Sequence, residues 1–272
     1  MQQNKKILKN FLGKGIGGKF FIKHILSKIL IFFVNPITVF GNKLYLDYSD
    51  GIDHIFKDYK KFQMKVCMDN VKRGDMVLDV GGNIGFFAVV ISKIIKNGKI
   101  FCFEASPKNC KLIIKNIRIN KCSNIILENK AVSEKNGKLR LYLYRETKYH
   151  RLYPTKGHDR YVEVESVRLD DYFKDNDIKF DFAKIDVVGS EAKVIDGMLG
   201  IIKNSPNIKI MMEFSPERIT KADTSPLNLL SILSQLGFNI FRLNLEKEEL
   251  EPIKNYVTLT EDEETKYLFF KK

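Results

Sequence analysis

Residues 77–87 read Val-Leu-Asp-Val-Gly-Gly-Asn-Ile-Gly-Phe-Phe. An apolar run meets an aspartate, three of the next six positions are glycine, and the chain resumes apolar. Glycine serves where the backbone must take a positive φ or lie close to another group. A buried strand, a glycine turn and a helix N-terminus together form a nucleotide-sized socket, because the first helical N–H groups have no partner inside the helix.

Outward from this turn, the pattern predicts strands at 76–80, 99–103, 124–128, 180–185, 208–214, 239–243 and 267–270. Helices are expected at 53–72, 86–95, 107–120, 190–198 and 227–236. Strands alternating with helices give an α/β fold, an open and mostly parallel seven-stranded sheet with helices on both faces. The stretch NKLYLDYSDG (42–51) reads as a β-hairpin arm ahead of it. Residues 132–178 interrupt the alternation with two strand patterns, 138–144 and 161–167, around a polar segment. Insertions beside the carboxyl edge of a parallel sheet carry substrate loops.

The dinucleotide fingerprint GxGxxG fails here, since Asn83 and Phe86 stand where glycines belong. A carboxylate at the strand end, Asp79, would repel a pyrophosphate but can order the turn and face a cationic ligand. S-adenosyl-L-methionine carries an ammonium and a sulfonium and no phosphate. Glu104 ends the second strand, 25 residues after Asp79, where an acid can accept hydrogen bonds from both ribose hydroxyls. Order and spacing together favour an S-adenosylmethionine site.

The chain has 272 residues and a net charge of +13. Residues 1–46 supply +8 of this through eight lysines, so the other 226 carry only +5. A body this mildly basic argues against a nucleic-acid partner. Four cysteines without a CxxC pair suit a reducing cytoplasm, without disulfide or structural zinc. Residues 1–46 read as a basic N-terminal extension and 47–272 as the globular domain. Within the extension, Lys19, Lys23, His24, Ser27 and Lys28 share one face of a helix over 19–34. The apolar run Ile29–Val34 is too short to span a bilayer, and no cleavage site marks a signal peptide. Packing of this helix on the body or on a second subunit, as in a homodimer, is the preferred reading. Peripheral contact with an anionic membrane is the alternative.

The motifs VLDVGGNIGFF, FEASP (103–107), NKAVS (129–133), VRLDDYF (167–173) and KIDVVGSE (184–191), in this order, resemble those of FkbM-type methyltransferases over about residues 41–216. Gly82 stands in place of that family's alanine, a neutral exchange on sequence grounds. Val188 replaces its common glutamate. The resemblance implies a Rossmann-like class I methyltransferase fold and S-adenosylmethionine bound by Asp79, Gly81, Asn83, Gly85 and Glu104. The backbone near Lys130 and Ala131 would border the adenine, and Asp186 would face the cofactor's amino group and the acceptor. It further implies O-methylation of a small molecule or glycan. Asp186, Glu213 and His150 or His158 are the candidate bases. Glu191 reads instead as a first-turn acid of its helix. Asp170, Asp171 and Asp186 have no compelling metal-ligand spacing, and no metal is expected. Two alternatives stay open: a different nucleotide-binding enzyme of this sheet type, and a non-catalytic module suggested by Val188.

Overall fold

The computed structural model describes residues 36–47, 58–261 and 264–272. The amphipathic segment 19–34 lies outside them. Two short strands, β1 (Ile37–Val39) and β2 (Asn42–Leu44), form a hairpin. Its turn falls at Phe40-Gly41, both with positive φ, so Asn42 opens the hairpin's second strand instead of its first. Helix α1 (Asp58–Asp69) precedes the main sheet.

The sheet builds outward from β3 (Met76–Val80). Helix α2 (Phe86–Ile95), strand β4 (Lys99–Phe103), helix α3 (Pro107–Ile119) and strand β5 (Ile125–Glu128) carry the chain to one edge. Ser106 caps α3, its side chain accepting from the Asn109 N–H, with Pro107 at the first helical position. The inserted region forms its own three-stranded sheet from β6 (Ala131–Val132), β7 (Gly137–Tyr142) and β8 (Tyr161–Val167). After the short helix α4 (Leu169–Tyr172), the chain returns to the sheet centre as β9 (Phe182–Ile185) on the other side of β3. Two short helices, α5 (Glu191–Asp196) and α6 (Leu199–Asn204), lead to β10 (Lys209–Phe214). Helices α7 (Pro216–Lys221) and α8 (Pro226–Gln235) precede β11 (Asn239–Asn244), β12 (Glu249–Pro252) and β13 (Lys266–Lys271).

The main sheet has eight strands, in the order β12-β11-β13-β10-β9-β3-β4-β5. Strands β10, β9, β3, β4 and β5 run parallel, and β13 slots antiparallel between β10 and β11. This is the α/β class I architecture, with one strand more than the seven expected. The extra strand, β12, has the sequence Glu-Leu-Glu-Pro, whose acids and proline hid it among turn signals. One apolar layer, with Phe87, Ile91 and Ile100, packs α1 and α2 on one face; the other, with Phe180, Ile195 and Leu230, packs α5, α6 and α8 opposite. Among the described residues no helix is long and apolar enough to cross a membrane.

Strand order reverses between β3 and β9, with β4 and β5 added on one side and β9 and β10 on the other, and open α/β sheets bind ligands outside the carboxyl ends of the strands at such a switch point. Asn116, fully buried on α3, ties three elements together at this end. Its Nδ2 donates to the Ile84 carbonyl at 2.7 Å and to that of Tyr45 at 3.0 Å, and its Oδ1 accepts from the Tyr45 N–H at 2.7 Å. It clamps the chain after the hairpin to the helix and to the glycine turn. Asn116→Ala removes three hydrogen bonds, and at about 1 kcal/mol each should lower unfolding free energy by about 2–4 kcal/mol. Denaturant titration measures this; an unchanged midpoint refutes the clamp.

Candidate active site

The turn after β3 is hung from the neighbouring strand. The N–H groups of Gly81 and Gly82 both donate to the Phe103 carbonyl, at 2.9 and 3.1 Å. Gly81 has φ 84°, and a Cβ there would lie 2.1 Å from the Asp186 carbonyl oxygen, so only glycine fits. Asn83 is also left-handed, at φ 51°, a conformation asparagine tolerates. Gly82 is not a neutral exchange for alanine: its Cβ would stand 2.4 Å from the Cys102 Sγ. Glycine at 82 and the thiol at 102 therefore fit as a pair. Gly85 caps α2 at φ 79° but does not border the cavity described below.

Beneath the turn lies a residue that the sequence reading passed over. Lys184 on β9 sits directly opposite Asp79 on β3. Its Nζ donates to the Gly81 carbonyl at 2.9 Å and lies 3.4 Å from Asp79 Oδ1 and 3.7 Å from Asp186 Oδ2. Burial alone would lower its pKa, but Asp79 and Asp186 outweigh this and hold it above the ordinary lysine value. Asp79 is wholly buried and does not line the cavity; burial raises its pKa against the pull of Lys184. The expectation that Asp79 faces the ligand is thereby corrected. Its countercharge is Lys184, its second oxygen accepts from the Cys102 thiol at 3.6 Å, and its work is to order the turn from below.

Above the turn opens a cavity of about 720 Å³, bordered by Gly81, Asn83, Glu104, Lys130 and Ala131. Glu104, at the carboxyl end of β4, is buried. Its Oε2 accepts from the Asn83 N–H at 2.8 Å, and its Oε1 from the Ser106 N–H at 2.8 Å and Asn109 Nδ2 at 3.3 Å. That fills three of a carboxylate's roughly four acceptor positions. Burial pushes its pKa up to about 7 in spite of these donors.

The far side of the cavity is walled by Asp186, Val188, Glu213 and Arg218, and by the inserted segment at His150 and Arg151. Glu213 ends β10 and pairs with Arg218 of α7 at 3.2 Å. Val188 is buried at φ 54°, strained for a β-branched residue. Glu191 Oε1 accepts from the Val187 and Gly189 N–H groups, both at 3.2 Å, so Glu191 orders the loop from the first turn of α5. His150 Nδ1 accepts from the Tyr144 N–H at 3.1 Å, and burial beside Lys108 pushes its pKa down to about 4. A neutral ring with Nδ1 engaged carries its proton on Nε2 and donates there. His158 instead stacks with Tyr144 in the inserted segment. Asp170 accepts from the Gly200 and Ile201 N–H groups, and Asp171 from Asn136, so neither joins Asp186.

The structure thus gathers Gly81, Asn83, Glu104, Ala131, Asp186, Glu213 and His150 around one space. Reasoning from sequence missed Lys184, Arg218 and Arg151. For Lys184 a signal existed: a lone cation inside the otherwise apolar strand Phe-Ala-Lys-Ile.

The methyltransferase FkbM domain model matches residues 79–240. No curated protein matches the chain. Among solved structures, precorrin-6y C5,15-methyltransferase from Geobacter metallireducens is 13% identical with a TM-score of 0.43, over 77% of this chain and 86% of that one. M. jannaschii TYW2 in complex with AdoMet is 14% identical with a TM-score of 0.46, over 86% and 84%. Aeropyrum pernix fibrillarin with S-adenosyl-L-methionine is 15% identical with a TM-score of 0.44, over 78% and 75%.

Removing one partner of a buried ion pair costs about 3–5 kcal/mol, because the other charge is stranded. Lys184→Met should therefore destabilise the fold by about that much, and adding Asp79→Asn should restore a large part of it. Denaturant unfolding of both variants measures the coupling. A double variant no more stable than Lys184→Met would show that the pair does not act as a unit.

Proposed function

We propose a function for this chain, which belongs to the methyltransferase FkbM family: it transfers the methyl group of S-adenosylmethionine to a hydroxyl oxygen of a small molecule or glycan. The observation that carries this reading is the junction of Gly81, Asn83 and Glu104 at the switch point. There the left-handed Gly81 lets the turn pack against the Asp186 backbone beside the cavity, and a buried carboxylate keeps acceptor capacity. The bound cofactor supplies an activated sulfonium methyl. What remains for the protein is positioning and proton removal.

The roles divide by place. Glu104 offers its remaining acceptor site, on Oε2, to a ribose hydroxyl. The backbone at Lys130 and Ala131 borders the base, and Asp186 meets the cofactor's ammonium while Lys184 fixes its position. Glu213 is the proposed base: it lies at the carboxyl end of β10, borders the cavity, and Arg218 holds its carboxylate. His150, neutral and with Nδ1 engaged, donates a hydrogen bond from Nε2 to the acceptor instead of taking its proton. The mild basicity of residues 47–272 supports a small acceptor over a nucleic acid. The basic segment 1–46 stays a candidate contact for the body, a second subunit or a membrane surface.

Calorimetry with S-adenosylmethionine, S-adenosylhomocysteine and NAD, with transfer of labelled methyl to a panel of sugars and metabolites, tests this reading. Binding of NAD alone would overturn it. Cofactor binding without turnover on any acceptor would favour the non-catalytic module. Glu213→Gln should lower turnover by about 10²–10⁴-fold while leaving cofactor affinity intact; equal loss of both would assign Glu213 to the fold. Cofactor affinity should also depend on pH through Glu104. Its pKa of about 7 lies above the usual 4.5, so the free protein takes up a proton as pH falls through 7. A hydroxyl donates to the carboxylate and competes with that proton. Affinity should therefore be full above pH 7 and fall below it, and in Glu104→Gln the pH dependence over this range should vanish. A profile that is flat in the unmodified chain would remove Glu104 from the cofactor site.

A further inference from the structure

The inserted segment 143–160 holds a guanidinium in a constrained pose on the acceptor side of the cavity. Arg151 is fixed through its backbone, since its N–H donates to the Tyr142 carbonyl and its carbonyl accepts from the Tyr142 N–H at 2.9 Å. Its side chain lies over the Tyr144 ring, 4.2 Å from the centroid, and 5.4 Å from that of Tyr153. Nε donates to the Tyr149 carbonyl at 3.2 Å and Nη1 to the Tyr153 hydroxyl at 3.4 Å. Of five guanidinium N–H donors, these account for two. One N–H on Nη1 and both on Nη2 have no partner among the described residues.

The surrounding charges are already matched. Arg218 has Glu213, Arg242 has Glu251, Lys148 has Glu146 and Lys184 has Asp79 and Asp186. Glu217, whose carboxyl feels the Arg151 charge, pairs with Lys221. Arg151 is therefore a cation without a carboxylate within salt-bridge distance among the described residues. Its free N–H groups form the fork that grips a carboxylate or phosphate in two places. The aromatic rings fix its plane, so little side-chain freedom is lost on binding.

We propose that the methyl acceptor carries an anionic group, a carboxylate or a phosphate, seated on Arg151. This rests on the methyltransferase reading and narrows its acceptor class. The group would be held on the inserted segment while the hydroxyl to be methylated reaches Glu213 and His150, which border the same cavity.

The test titrates inorganic phosphate, acetate and neutral methyl glucoside into the full chain, with and without S-adenosylhomocysteine, following chemical shifts by NMR. Phosphate or acetate should bind saturably where methyl glucoside does not, and whichever binds more tightly identifies the group. Arg151→Gln should weaken that binding by about tenfold or more, and Arg151→Lys by less, because the charge stays but the fork is lost. Affinity for S-adenosylhomocysteine should be the same in all three proteins. No saturable anion binding, or binding that survives Arg151→Gln, overturns the proposal. Failure of S-adenosylhomocysteine to bind would instead strike the parent reading, because the anion titration runs on the free chain as well.

Discussion

The buried ammonium of Lys184 is the constraint from which the site follows. Strands β3 and β9 stay paired to Val80 and Ile185, and Asp79 near the end of β3 and Asp186 just after β9 bring two carboxylates close to the same spot. Two such groups with no cation between them would repel one another in a poorly solvated place. Lys184 neutralises both and uses a third donor on the Gly81 carbonyl. A buried ion pair adds little net stability compared with a well-packed apolar substitute, because desolvation of both charges offsets their attraction. What it adds here is position: the residue where β3 stops and the turn starts is set by a charge that fits nowhere else.

The turn inherits this order and passes it on. With the Gly81 carbonyl drawn down to Lys184, the Gly81 and Gly82 N–H groups point to Phe103 at the end of β4. The left-handed step at Asn83 then aims its N–H at Glu104. Glu104 therefore builds the socket as well as lining it, and its raised pKa records the burial this requires. The chain of contacts runs from a buried cation to a carbonyl, a turn and a carboxylate, so its two ends are coupled although they do not touch.

The larger fold was legible because its signals are long and periodic. Buried strands at 76–80, 99–103 and 209–214 announced themselves by apolar runs. Helices α6 and α7, each of six residues, were not read. At the site, the residues bound by local chemistry (Gly81, Asn83 and Glu104) were readable from one short stretch and its spacing. Asp79 was read at the right place with the wrong neighbour, because the lysine that faces it is 105 residues away and is brought there only by strand pairing. Arg151 and Arg218 escaped for a similar reason: a basic residue in a polar loop, or on a short helix, looks solvated until the fold shows what it faces.

Val188 shows how the loop after β9 can keep its form while its side chain changes. The left-handed backbone at 188 and 189 would ordinarily call for glycine at both positions, and a β-branched residue there stores roughly 1–3 kcal/mol of strain. Two forces hold it. Glu191 collects the N–H groups on either side, from Val187 and Gly189, and burial of the valine side chain against the cavity wall offsets part of the cost. Gly189 cannot move outward to relieve it, since a Cβ at that position would already meet the Arg218 carbonyl at 2.6 Å. Loop shape is thus specified by Glu191 and by the contact with α7, without any contribution from a polar group at 188. A glutamate there would add a charge to a wall that already holds Asp186 and Glu213. In this chain the cavity is apolar at that point, and its nearby polar lining comes from Asp186, Glu213, Arg218, His150 and Arg151.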